Sequence, residues 1–305
     1  DLVNRWIFDN PPSRTVGWEP YPTSLRVVNW IKWHIRQNSL AVDGLDSLAL
    51  QVRFLCQRLE WHILGNHLFA NAKALVYAGC FFIGPEADRW LHKGLAIITS
   101  ELREQVLGDG GHFERSTLYH SIFVEDILDL INLADYYYDR VPRSSVAFWR
   151  ATADSMLVWL RTMTHPDGDF ALFNDAAFGT SATPDELFQY AHRLKLSVIS
   201  GGHSCNHLKE SGYIGLVNSA AHAFLDVALV GPDYLPGHAH ADTLSFELSL
   251  FGQRFVTNGG TSEYDEGAIR HSDRGTASHS TVVVNGENSS EVWKAFRVAR
   301  RARPF

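Results

Sequence analysis

Apolar residues recur every three or four positions along the first two-thirds of the 305-residue chain and every second position after that. The first spacing belongs to helices that bury one face, the second to half-buried strands. Leu48, Val52, Leu55, Leu59 and His62 keep helical steps without a break. An earlier helix carries Leu25, Val28, Ile31 and Ile35, opened by Pro22 or Thr23. A third begins near Asn66 and runs through Ala70, Ala74 and Ala78 to the break at Gly84-Pro85, and a fourth follows to about Leu107. Ser116 opens a fifth through Tyr119, Phe123, Ile127 and Leu130, and a sixth spans about Ser144 to Met163. The last follows Thr183-Pro184-Asp185-Glu186, where Thr183 caps and two acids meet the positive helix end. Residues 1–21 mix aromatics with turn formers and predict a rigid, irregular entry.

The period changes near Gly201. Gly212–Val217, Ala223–Leu229, Thr243–Leu250, Arg254–Thr257 and Ser280–Val284 predict strands, with Gly252-Gln253 as a tight hairpin. A run of helices followed by a run of strands means segregated α+β domains rather than an alternating α/β sheet. The division is placed at residues 1–203 and 204–305, with the helices arranged as antiparallel hairpins in a toroid or bundle. The chain starts at Asp1 without an initiator Met, which suggests a segment of a longer protein.

Charge removes some function classes. A net charge of -7 argues against nucleic acid as partner. Arg297, Arg300, Arg301 and Arg303 form the one dense basic run and read as a solvated tail or strand edge. No stretch reaches the roughly 18 apolar residues of a membrane span. Cys56, Cys80 and Cys205 are too dispersed for a disulfide framework or a zinc knuckle. Nine tryptophans and ten tyrosines suit a sugar-binding groove, and suit a large helical core equally well.

The stretch richest in chemistry is Gly237-His238-Ala239-His240-Ala241-Asp242. On an extended strand the two imidazoles share a face, and two imidazoles with a carboxylate bind metal or move protons. Taken singly, other candidates have plain readings: Asn66 as a helix cap, Tyr119 and His120 as core or rim, Asn174-Asp175 as an Asx turn, His271 and Arg274 as a solvated turn. His62, His92, His165, His192, His203, His207 and His222 read as surface or structurally satisfied.

Together, four stretches in register resemble the heparinase II/III-like polysaccharide lyases. They are Gly65-Asn66-His67, then Gly110-Gly111-His112-Phe113-Glu114-Arg115-Ser116 with Tyr119-His120, then the His238/His240 segment, then Thr276-Ala277-Ser278-His279 and the valines after it. The resemblance implies an incomplete (α/α) toroid of helical hairpins followed by an antiparallel β-sandwich, here truncated. It implies β-elimination on an anionic, uronate-containing polysaccharide, glycosaminoglycan-like or alginate-like, in the periplasm or outside the cell. Asn66 and His67 would neutralise the uronate carboxylate, Tyr119 would be the acid and for one epimer the base, and His238 would face it. His112, Glu114, Arg115, Asn174 and Arg274 would contact substrate across an interdomain cleft. His240 and His279 would hold zinc or another divalent ion in a structural site. The third ligand is usually an acid, and here Asn258 stands at that position.

This chemistry has clear demands. The C5 proton of a uronate is weakly acidic, so donors must stabilise the enolate-like charge. A tyrosine serving as base needs its pKa of about 10 lowered by positive neighbours, a part open to His112, His120 and Arg115. A histidine of pKa about 6.5 suits the base role directly. Two competing classes remain: a metal-dependent hydrolase or oxygenase on His238, His240 and Asp242, and a non-catalytic sugar-binding relic.

Overall fold

The computed structural model describes residues 2–37, 40–197 and 204–304. Its helices are α1 (Leu2–Asp9), α2 (Pro20–Gln37), α3 (Val42–Cys56), α4 (Gly65–Phe81), α5 (Pro85–Gln105), α6 (Thr117–Tyr136), α7 (Arg143–Thr162), α8 (Pro184–Arg193) and α9 (Ala268–Arg274). Strands β1 (Cys205–Leu208), β2 (Tyr213–Val217), β3 (Ala221–Asp226), β4 (Phe246–Leu250) and β5 (Gln253–Val256) form one antiparallel sheet in sequence order, and β6 (Val292–Trp293) pairs with β7 (Arg297–Val298). Helical hairpins followed by an antiparallel sheet is the class the patterning predicts.

Packing divides the chain into two compact units, Asp1–Arg103 with Asp129–Trp149, and Glu104–Leu128 with Arg150–Phe305. This grouping differs from a cut between residues 203 and 204, and residues 198–203, including His203, lie outside the described residues. The second unit takes in part of the helical sequence for a packing reason. Trp159 of α7 and Met163, the residue after its end, share a buried cluster with Phe173, Tyr213 and Phe224.

In the first unit α4 is the central element. Every residue from Leu68 to Cys80 is buried. An apolar helix buried all round has no polar face to show, and its one charge needs company. Lys73 and Lys32 each lie 2.5 Å from Asp129, and Tyr77 donates to the Asp129 carbonyl. Residues 2–9 form a helix where an irregular entry was expected. Trp6 meets Trp18 and Trp30 ring to ring, and Arg26 caps its face, so tertiary aromatic contacts hold a segment of unremarkable local pattern.

In the second unit α8 starts as predicted, with Thr183 and Glu186 completing a reciprocal capping box. The sheet departs from expectation at its turns. The β4–β5 hairpin turns on Phe251-Gly252, both at positive φ, one residue earlier than Gly252-Gln253. β4 begins at Phe246, because Ser245 donates back to the Asp242 carbonyl and Leu244 sits at φ 65. The segment from His238 to Leu244 is therefore loop, not strand. β3 starts two residues and ends three residues upstream of the expected range. Ser280–Val284 is not a strand: its valines are exposed and it contributes only an isolated bridge from Val284 to Glu287. The supposed loop at His271 and Arg274 is α9.

Two glycines let α4 and α5 approach closely. A Cβ on Gly79 would sit 2.5 Å from the Leu91 Cβ and 2.6 Å from the Leu91 backbone nitrogen. A Cβ on Gly94 would sit 2.9 Å from the Ala72 carbonyl oxygen. Overpacking of this kind costs about 1–3 kcal/mol. Gly79→Ala is expected to lower Tm by several degrees in a thermal melt. An unchanged or raised Tm would show that the helices separate without cost.

Candidate active site

Ser116 sets the start of α6. Its hydroxyl donates to the Asp175 carbonyl (2.5 Å) and accepts from the Tyr119 N–H (3.3 Å). Tyr119 thereby emerges from the first turn, half-buried. Its ring stacks on His238 with centroids 3.8 Å apart and 12° between planes. Its hydroxyl lies 3.2 Å from that of Tyr264. Behind His238, Nδ1 makes a very short contact with the Glu114 carboxylate, which is buried.

Electrostatics give each group a state. Burial raises the Tyr119 phenol well above its ordinary value, and the Tyr264 hydroxyl and nearby carboxylates add to this. Tyr119 is therefore a protonated phenol at neutral pH. Burial opposes charge on His238, but Glu114 overrides it and holds the imidazole above its ordinary value. Burial likewise opposes charge on Glu114, and His238 overrides it to hold the carboxyl below its ordinary value. The expected positive neighbours of Tyr119 are absent. Burial pushes His112 down to about 4 and His120 to about 3, so both are neutral. Arg115 donates to the carbonyls of Ser211 and Gly231.

A second cluster is built on Asp175. Its carboxylate takes both terminal nitrogens of Arg270 and the Nε2 of His240 (2.7 Å), with all three side chains fully buried. Its N–H donates to the His238 carbonyl at 3.0 Å. Burial works against the charge, but His240 and Arg270 hold the carboxyl at about 2. Arg270 also lies 5.3 Å from the Tyr264 ring centre and 5.4 Å from that of Phe296, and those two rings are parallel to within 13°.

The sequence candidates sort as follows. Tyr119, His238 and Glu114 come together. His112 bonds Gln105 and is buried; Asn174 is buried and bonds the Arg115 carbonyl, the Tyr213 hydroxyl and the His240 N–H. Arg274 is buried on the carbonyls of Ala239, Lys294 and Arg297. Asn66 and His67 belong to the other compact unit, in the first turn of α4. The N-cap there is Leu64, so Asn66 is not the cap. His238 and His240 do not share a face, because they lie on a loop. One ring goes to Glu114 and the other to Asp175, while Asp242 accepts from the Asn174 N–H (3.3 Å). The single metal set of His238, His240 and Asp242 is thus not formed. Tyr264, Arg270 and Phe296 escaped the sequence reading. The one available signal was an aromatic residue inside the polar run Ser262-Glu263-Tyr264-Asp265-Glu266.

His240 Nδ1 and His279 Nε2 are buried without hydrogen-bond partners among the described residues, and the two rings lie 5.4 Å apart. Asn258 Oδ1 sits 3.3 Å from His279 Nδ1, on the other ring nitrogen. Two imidazole nitrogens fall short of the four N, S or O ligands of a structural zinc. Among the described residues no three of His, Cys, Asp and Glu group to hold a metal. The donor set therefore does not fit a closed zinc site.

The chain matches the family models Heparinase II/III N-terminus over residues 3–194 and Heparinase II/III-like, C-terminal over residues 201–305. It is 29% identical over 245 residues to heparin-sulfate lyase of Bacteroides stercoris, covering 73% of this chain and 36% of that protein. Heparin-sulfate lyase of Bacteroides thetaiotaomicron is 24% identical over 341 residues, covering 94% and 48%. FtsZ-localized protein C of Caulobacter vibrioides is 28% identical over 267 residues, covering 85% and 44%. A crystal structure of heparinase III superposes with a TM-score of 0.76 at 21% identity, covering 97% of this chain and 51% of that one. The chain thus spans between about a third and just over half of the length of the relatives it matches, and it shares with heparinase III the fold class of helical toroid followed by β-sandwich. With both family models matching in order along nearly its whole length, the chain belongs to the heparinase II/III-like family.

Proposed function

We propose that the protein is a polysaccharide lyase that cleaves a glycosaminoglycan-like, uronate-containing polymer by β-elimination. One observation carries the reading: a protonated phenol, Tyr119, stacked on an imidazole, His238, that a buried carboxylate orients. Elimination needs a base at C5 and an acid at the departing O4, and the two groups supply both. Glu114 takes the Nδ1 side of His238 and leaves Nε2 as the basic nitrogen. Tyr119, raised by burial, keeps its proton until the leaving oxygen takes it. Asn66 and His67 are assigned to the uronate carboxylate. Glu114, Arg115, Asn174, His112 and Arg274 act as supports, because protein groups already engage them. The relatives named heparin-sulfate lyase support the substrate class, and a periplasmic or secreted location is proposed from the family resemblance alone. No helix among the described residues is long and apolar enough to cross a membrane. The division into 1–203 and 204–305 is kept as part of this proposal; the two family models meet between residues 194 and 201.

The full-length protein mixed with heparan sulfate is expected to generate the ultraviolet absorbance of an unsaturated uronate. Tyr119→Phe is expected to lower that rate about 10²- to 10⁴-fold, the usual worth of a general acid or base. Reducing ends without absorbance would favour hydrolysis, and binding without either would favour a non-catalytic relic.

The pH dependence follows from the sign of the His238 shift. Its value is raised by Glu114, so the free base appears only as pH climbs through that raised value. The kcat/KM profile is therefore expected to rise through it. Glu114→Gln removes the raising charge, so the limb moves to lower pH while the plateau falls. A profile that falls with pH over this range would mean that protonated His238 is the working form.

For the metal we propose that no tight structural zinc is held, because Asn258 replaces the expected acid. Metal analysis after zinc loading and dialysis is expected to find well below one zinc per chain. Stoichiometric zinc would contradict this.

A further inference from the structure

The turn before α4 is built around Glu60, a buried carboxylate with no part in the reaction so far. Leu64 takes φ 64 and ψ -153, a region that residues other than glycine essentially avoid. It directly precedes Gly65-Asn66-His67. Glu60 fastens this strained turn from both ends. Its carbonyl accepts the N–H groups of Ile63 (3.0 Å) and Leu64 (2.9 Å). Its own N–H donates to Asn71 Oδ1 (2.9 Å), and its Oε2 accepts from Asn71 Nδ2 (2.9 Å). Asn71, wholly buried, also donates to Ser24 Oγ at 3.0 Å. That leaves Glu60 Oε1, which lies 3.0 Å from His67 Nδ1. Tyr21 covers the ring of His67 with centroids 4.4 Å apart and planes 31° apart. The His67 side chain retains 32% of its exposure, and its Nε2 makes no hydrogen bond among the described residues.

We infer that Glu60 is the positioning residue of His67. It accepts the Nδ1 proton, fixes the ring plane with Tyr21, and leaves Nε2 as the atom that meets the sugar carboxylate, which it does as a donor when the ring carries a proton on each nitrogen. A ring nitrogen's role is set by the bond the other nitrogen makes. The strain at Leu64 is the backbone cost of setting Asn66 and His67 at the helix start, and the Glu60–Asn71 pair keeps it from relaxing. The inference rests on the reading of His67 as the carboxylate-binding imidazole.

The experiment is a double-mutant cycle on heparan sulfate with His67→Ala, Glu60→Gln and the pair. Glu60→Gln keeps the size of the side chain but has one acceptor oxygen for two donors, so one bond is lost. It is expected to lower kcat/KM about 10- to 100-fold, the scale of a small misplacement of a reacting group. The loss should fall mainly in kcat, because the charge to be neutralised grows in the transition state. In the His67→Ala background Glu60→Gln is expected to cost nothing further. An equal loss in both backgrounds would overturn the inference and leave Glu60 as scaffold. If His67→Ala alone leaves kcat/KM unchanged, the role given to His67 fails instead. Nitrogen NMR of the unmutated protein gives a check that no variant's folding can confuse. With a uronate-containing product bound, both ring nitrogens of His67 are expected to carry protons, Nδ1–H toward Glu60 and Nε2–H toward the sugar, and a neutral ring of either tautomer would overturn the inference.

Discussion

The buried carboxylate of Asp175 is the constraint on which the second unit's chemistry depends. It is wholly buried away from the surface, so its partners are what make its charge tolerable. Those partners come from separate stretches: Arg270 from α9 and His240 from the loop before β4. The same residue's main chain accepts from Ser116 at the head of α6 and donates to the His238 carbonyl. One residue therefore registers the helix that carries Tyr119, the loop that carries His238, and the arginine beneath Tyr264. Removing one partner of such a buried pair typically costs about 3–5 kcal/mol, because the remaining charge is stranded. The arrangement trades stability for placement, as expected where a few side chains must be held to a fraction of an ångström.

Placement alone would not make an acid and a base. What separates the two roles is surroundings of opposite sign. Tyr119 faces burial, another phenol and carboxylates, all of which keep its proton on. His238 has a carboxylate in contact, which favours its cation yet also fixes its Nδ1 side. Pairs of groups whose environments push them apart are how one site runs both halves of an elimination. The expected activation of Tyr119 by His112, His120 and Arg115 does not operate, since the histidines are neutral and the arginine is spent on carbonyls. In the proposed reaction this leaves the phenol as acid and the imidazole as base.

Much of this was legible beforehand, and what was missed has physical causes. The helices were readable because their burial follows the 3.6-residue period, and Thr183-x-x-Glu186 announced its own cap. Tyr119 and His238 stood out through the joint occurrence of motifs. The turns were less readable. Leu244, Phe251 and Leu64 all take positive φ, which a leucine or phenylalanine gives no sign of in a sequence. The period-2 reading of His238 and His240 failed for that reason, since the segment is loop and the rings diverge. Asp175 and Arg270 are 95 positions apart, and no local pattern pairs them. Glu60 and Asn71 were invisible because their bonds, 11 positions apart, close around a strained turn and follow neither the helical nor the strand period.

The central claim is that the bond to O4 breaks by elimination, with no water entering the product. Digesting heparan sulfate with the full-length protein in water enriched in heavy oxygen, and weighing the fragments by mass spectrometry, tests it most directly. The account predicts fragments whose masses sum to the parent chain, with no heavy oxygen incorporated and one fragment bearing an unsaturated end. Fragments whose masses sum to the parent chain plus one water for each bond broken, with the solvent's heavy oxygen in one fragment of each pair, would contradict it.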